Sequence, residues 1–190
     1  MLDKKYFKKI REDVLSYTVK RRQVIDSANA AQHLSKKAIF ALQRDDRGVA
    51  EKCLAEAGQL LSALYKKFAS DHRLIDEGSY RAGLEEYAEA ALFYQFLTDE
   101  KFGEIKGANI DPDIFIGGLC DVPGEILRYA VKSATERNFA MVKKCFAAAE
   151  EIIGEMVDMD LTGYNRNKFD QAKGALHKLQ QVVYEVSLKN

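Results

Sequence analysis

Between Lys4 and Arg44 the chain carries neither glycine nor proline. These two residues are the main punctuation of secondary structure, so their absence over so long a stretch favours uninterrupted helix. The apolar positions agree. Ile10, Val14, Tyr17, Val24, Ala28, Ala31, Ala38 and Leu42 recur mostly at three- or four-residue intervals, which places them on one helix face. The pattern predicts one very long helix over 4–44, or two joined at a slight bend. An average helix has about 11–12 residues, so this one must run the length of a bundle or extend into a partner.

The remainder reads in the same way. Asp45-Asp46-Arg47-Gly48 is a turn, followed by a helix over 49–68 with Leu54, Ala57, Leu61, Leu64 and Phe68 on its apolar face. Polar clusters at 70–72 and 76–79 bracket a further connection. The next helix covers 79–98, and its second half, Ala90 to Leu97, is apolar on almost every side, as suits a central buried helix. Residues 99–110 read as a loop. A helix over 111–135 contains Pro123, which removes one helical hydrogen bond. A bent continuous helix is favoured there over a turn and a new start at 123. Helices over 138–159, with Phe139, Val142, Phe146, Ile153, Met156 and Val157 inward, and over 165–188 complete the chain. No stretch sustains period-two alternation. The expectation is a single all-α domain over 1–190, a bundle of six to seven helices.

Composition limits the function. With 47% hydrophobic residues the chain has material for a core. No apolar run approaches the roughly 18 residues of a membrane span, and Met1 to Phe7 has no signal core, so no membrane partner is expected. Cys53, Cys120 and Cys145 lack CxxC spacing, which argues against a zinc site and fits the reducing cytoplasm. Formal net charge is zero, so any nucleic-acid site must come from locally clustered cations.

Four acids carry the candidate chemistry. Glu86 and Glu89 lie three apart and share a stripe with Phe93 and Phe96, so their face leads into the core. Asp121 and Glu125 lie four apart, with Arg128 and Lys132 continuing their stripe beside the apolar series Leu119, Val122, Ile126. Acids rarely border a core without a partner or a metal. If the two stretches meet, hard oxygen donors of this kind suit Mg²⁺ or Mn²⁺, which activates water and screens phosphoryl charge. The alternative is that they pair with Arg81, Arg128 and other cations on helix surfaces. A di-iron site is excluded because no Glu-x-x-His is present. Cys120 lacks the cationic setting of a reactive thiol and is read as packing. Lys20, Arg21, Arg22, His33, Lys36, Lys37 and Arg44 line the polar side of the first helix. They form either a solvated face or a phosphate track.

Four segments resemble the translin family. Gly83 to Phe96 is similar to the acidic helix of translin-associated factor X, and Gly118 to Arg128 to that protein's second acidic motif. Leu34 to Leu42 resembles part of its long first helix, and Val182 to Leu188 the C-terminal helix shared with translin. The resemblance implies about seven helices, an octameric shell, and Mg²⁺-dependent endoribonuclease activity. The family's catalytic acids fall on Glu86, Glu89 and Asp121, with Glu125 as a further acid on the metal side. Translin itself looks apolar or neutral at the first three positions, which places this chain on the nuclease side.

The expected function is a Mg²⁺-dependent (or Mn²⁺-dependent) endoribonuclease. Its substrate would be single-stranded RNA or the exposed strand of a duplex, with single-stranded DNA as a further ligand. Arg21, Arg22, Lys36, Lys37 and Arg128 would bind the nucleic acid. The expected assembly is a homo-octamer, or a hetero-oligomer with a translin-like subunit. The alternatives are a non-catalytic single-stranded RNA or DNA binder, using exposed aromatics such as Tyr17 for stacking, and an all-α nucleotide pyrophosphohydrolase. The last is disfavoured because the carboxylate pairs of such enzymes are usually spaced by three.

Overall fold

The computed structural model describes residues 1–188. It contains seven helices: α1 Lys4–Leu42, α2 Arg47–Phe68, α3 His72–Ile75, α4 Gly78–Leu97, α5 Pro112–Thr135, α6 Phe139–Val157 and α7 Gly163–Ser187. No strand occurs among the described residues. The long first helix is a single element. The short α3 was not expected, because four residues are too few to show a period.

Short polar residues start several helices by satisfying otherwise unpaired backbone N–H groups. Asp3 accepts from the N–H groups of Lys5 and Tyr6, and Asp46 from that of Val49. Asp111 accepts from Ile114 N at 2.9 Å, with Pro112 at the first helical position, where its missing donor is not needed. Asn138 caps α6 through Met141 N. Pro123 lies within the continuous α5 and is buried, so neighbouring helices hold the segment helical despite the lost hydrogen bond.

Helices α1, α2 and α4 pack on one another, as do α5, α6 and α7, and the two groups join along the α4–α5 seam. Val24, Leu61, Leu92, Phe93, Ile126 and Leu179 are among the fully enclosed core residues. The seam is unusually close at Gly118. A Cβ there would stand 2.7 Å from Ala88 Cβ and 2.9 Å from both Glu85 O and Glu89 N. Glycine thus permits the two acidic stretches to lie directly against each other.

Two packing expectations need correction. The apolar stripe of α1 is buried only from Val24 onward; Ile10 and Val14 are 39% and 57% exposed. That half of α1 extends beyond the helices it would pack on, so among the described residues its apolar face has no cover. Val157, expected inward, is the last residue of α6 and is 61% exposed, beyond the end of the helix's packed face.

Candidate functional site

The two acidic stretches meet at the α4–α5 seam. Helical spacing carries Glu85, Glu86 and Glu89 to the side of α4 facing α5, and Asp121 and Glu125 to the side of α5 facing α4. Glu89 feels the charge of three of the others. Burial first, then Asp121, Glu86 and Glu125 in that order, push its carboxyl up to about 9. It forms no hydrogen bond or ion pair among the described residues. Burial also raises Glu86, partly offset by Lys36, and raises Asp121 against the opposing pull of Lys168.

The other acids have partners. Lys36 Nζ lies 3.5 Å from Glu86 Oε2. Glu125 accepts from Gln43 Nε2 at 2.7 Å and from Arg128 Nη1 at 3.0 Å. Lys168 Nζ, on α7, is 2.5 Å from both Asp121 Oδ2 and Glu85 Oε1, and 3.1 Å from the carbonyl oxygen of Gly117. Glu85 Oε1 also accepts from the Tyr164 hydroxyl at 2.8 Å. As the side chains lie, no three His, Cys, Asp or Glu among the described residues are grouped closely enough to hold a metal ion. The interleaved cations account for this, since each draws a carboxylate toward itself.

The residues nevertheless fit a divalent cation in chemistry. All are hard oxygen donors. Glu89, free of any partner, stands where negative charge is most concentrated, and rotation of Asp121 or Glu125 about two or three side-chain bonds can redirect their oxygens.

The basic residues separate into groups. Lys36 and Arg128 stand at the acids. Lys37 is exposed on α1, and Arg22 is exposed further toward its start. Arg21 is clamped by Glu77 through two hydrogen bonds of 2.7 and 2.9 Å. Arg81 pairs with Asp111 at 3.5 Å and not with any of the four acids. Lys132 leaves the expected acidic stripe and pairs with Asp45 in the α1–α2 turn. Cys120 is buried, with its thiol pushed up to about 11 by burial, consistent with packing. Beyond Glu85, a cavity of about 500 Å³ opens between Arg81, Asp113, Tyr164 and Asn165.

Sequence reasoning passed over Glu85 and Lys168. Glu85 was visible as a third acid on α4, four residues before Glu89 and so on the same face, but it was left out of the stripe read through Glu86, Glu89, Phe93 and Phe96. Lys168 carried no local signal, because it is one of many lysines on an amphipathic helix.

An all-α bundle with a carboxylate cluster at the seam between two three-helix groups defines the class of protein. The chain belongs to the Translin family, whose sequence model matches residues 19–190. No curated protein matches it. Among solved structures, apo-NeC3PO is similar, with 21% identity, a TM-score of 0.87, and coverage of 98% of this chain and 98% of that one. AfC3PO, alone and in a complex with duplex RNA, is similar at 19% identity and TM-score 0.85, over 97% of this chain and 98% of that one. These likenesses are of fold.

Proposed function

We propose that this protein is a metal-dependent endoribonuclease that binds single-stranded RNA and cleaves it at the α4–α5 seam, working as an assembly of copies. The observation that carries the reading is Glu89, a largely enclosed carboxyl with no partner, crowded by Asp121, Glu86 and Glu125. A bundle gains no stability from such a group, and strongly perturbed acids in a cleft are characteristic of functional sites.

Glu89 and Asp121, with Glu125, would hold Mg²⁺ or Mn²⁺. A divalent ion supplies Lewis acidity toward a phosphoryl oxygen and lowers the pKa of bound water. The chain's own residues do the rest. Glu86, raised by burial above the ordinary carboxylate range, is suited to accept a proton from the attacking water. Lys36, exposed and only loosely paired with it, meets the phosphate entering the site. Arg22 and Lys37 extend the cationic track along α1.

RNA as the ligand is supported by this track and by the duplex RNA complex of AfC3PO, a protein of the same fold. Self-association is supported by the uncovered apolar residues of α1, including Phe7, Ile10, Val14 and Leu15. The octamer implied by the family resemblance is the form we favour, and the three free cysteines suit a cytoplasmic setting.

A second reading, nucleic-acid binding without cleavage, is favoured by one observation: Lys36, Arg128 and Lys168 already engage four of the five acids. One assay decides. Labelled single-stranded RNA is incubated with Mg²⁺, with chelator, and with Glu89→Gln. Cleavage by wild type in Mg²⁺ alone supports the nuclease. Binding without cleavage under every condition supports the second reading.

A further inference from the structure

Lys168 is better placed than an ordinary surface lysine. It reaches from α7 to the α4–α5 seam, and its side chain is only 11% exposed. An ammonium has three donors, and all three are used, on a carboxylate from α4, a carboxylate from α5 and the carbonyl of Gly117. Two carboxylates and a carbonyl are also the oxygen set that a hard metal ion takes.

The surroundings fix it there. A side chain at position 117 would overlap the Glu85 carboxylate, so Gly117 leaves the space in which Glu85 lies. The Tyr164 hydroxyl holds the same Glu85 oxygen that Lys168 contacts. Glu85 is therefore committed to Lys168 and is unavailable as a metal ligand.

Charge leads to the same conclusion. Glu85, Glu86, Glu89, Asp121 and Glu125 face Lys36, Arg128 and Lys168. With Glu89 deprotonated, as a bound cation would require, five carboxylates against three cations leave two negative charges, matched by a single divalent ion. A second would stand beside the Lys168 ammonium, only 11% exposed, where repulsion between cations is poorly screened.

We propose that Lys168 stands in for the second cation of a two-cation arrangement, so that each chain holds one divalent ion, on the Glu89 side of Asp121. Lys168 is then a positioning residue that keeps Glu85 and one Asp121 oxygen engaged. The inference rests on the metal-dependent reading above.

Mn²⁺ titration followed by electron paramagnetic resonance tests it on the full-length protein. Wild type should take up one Mn²⁺ per chain, with the signal of an isolated ion. Lys168→Ala should take up two, with a spin-coupled signal, and bind the first about tenfold more tightly because a neighbouring positive charge has gone. Lys168→Arg, which keeps the charge, should remain at one. Circular dichroism confirms that each variant is folded. Two coupled ions in wild type overturn the inference, as does Lys168→Ala remaining at one ion with unchanged affinity. Should Lys168→Ala fail to fold, Lys168→Gln, which removes the charge but keeps a donor, takes its place and should likewise take up two ions. No Mn²⁺ uptake by wild type would instead overturn the metal-dependent reading itself.

Discussion

Lys168 Nζ lies 2.5 Å from Asp121 Oδ2, although 47 positions separate the two residues in the chain. The contact ties α7 to the α5 face that carries the acids. It also means that Asp121 cannot be removed without leaving a largely buried ammonium short of one partner. Burial lowers the Lys168 pKa, but its hydrogen bonds to Asp121 and Glu85 outweigh that and hold it above the ordinary lysine range.

Asp121→Ala should therefore have two effects. In chelator, its melting temperature should fall, reflecting a loss of about 1–3 kcal/mol for an unsatisfied buried group. In Mg²⁺, RNA cleavage should be lost. The wild-type products should carry 5′-phosphate and 3′-hydroxyl ends, as expected when water attacks phosphorus. End-group analysis checks this; cyclic phosphate ends would indicate attack by the RNA's own 2′-hydroxyl and a different catalyst.

Glu89 gives a pH dependence with a definite sign. Its folded-state pKa, about 9, lies above the ordinary value of 4.5. Between these values the native state holds a proton that the unfolded chain has released. The contribution is fully present below about pH 4.5 and is lost as pH rises toward 9. Without divalent metal, wild type should melt at progressively lower temperature from pH 5 to pH 9. Glu89→Gln should flatten that slope and melt higher than wild type at pH 8. Calorimetry in chelator is the measurement, and parallel slopes for the two proteins would refute the assignment.

The glycines of α5 are not equivalent. Gly118→Ala should cost about 1–3 kcal/mol, because its Cβ meets Ala88 and the backbone of α4. Gly124→Ala meets nothing within 4 Å and should stabilise α5 by about 0.5–1 kcal/mol. Urea denaturation of the two variants provides the comparison.

Among the cations of α1, Arg22→Ala and Lys37→Ala should each weaken RNA binding whatever the sequence, and each should reduce the slope of affinity against salt by about one counterion. Arg21→Ala should do less, since Glu77 already offsets its charge. Filter binding across a salt series, with Glu89→Gln as the non-cleaving background, separates them.

Placing a charge on the uncovered apolar face of α1, as in Ile10→Glu with Val14→Glu, should shift the protein to smaller species without loss of helix content. Light scattering and circular dichroism report the two quantities. Unchanged mass would show that this face does not hold copies together.

The helices and the acidic stripes were legible in the sequence because both are local. The absence of glycine and proline from 4 to 44 allowed α1 to be a single helix, and spacings of three and four put Glu86 with Glu89, and Asp121 with Glu125, whatever the rest of the chain did. Periodicity also showed that the start of α1 has an apolar face, but not what covers it, and among the described residues nothing does. Tertiary structure alone decided which charges meet. Arg21 found Glu77, Lys132 found Asp45, and Lys168 entered between Glu85 and Asp121. A helix fixes the face on which a lysine stands, whereas its partner is fixed by how distant helices cross, and at this seam by Gly117 and Gly118, which let Glu85 and Glu89 come close.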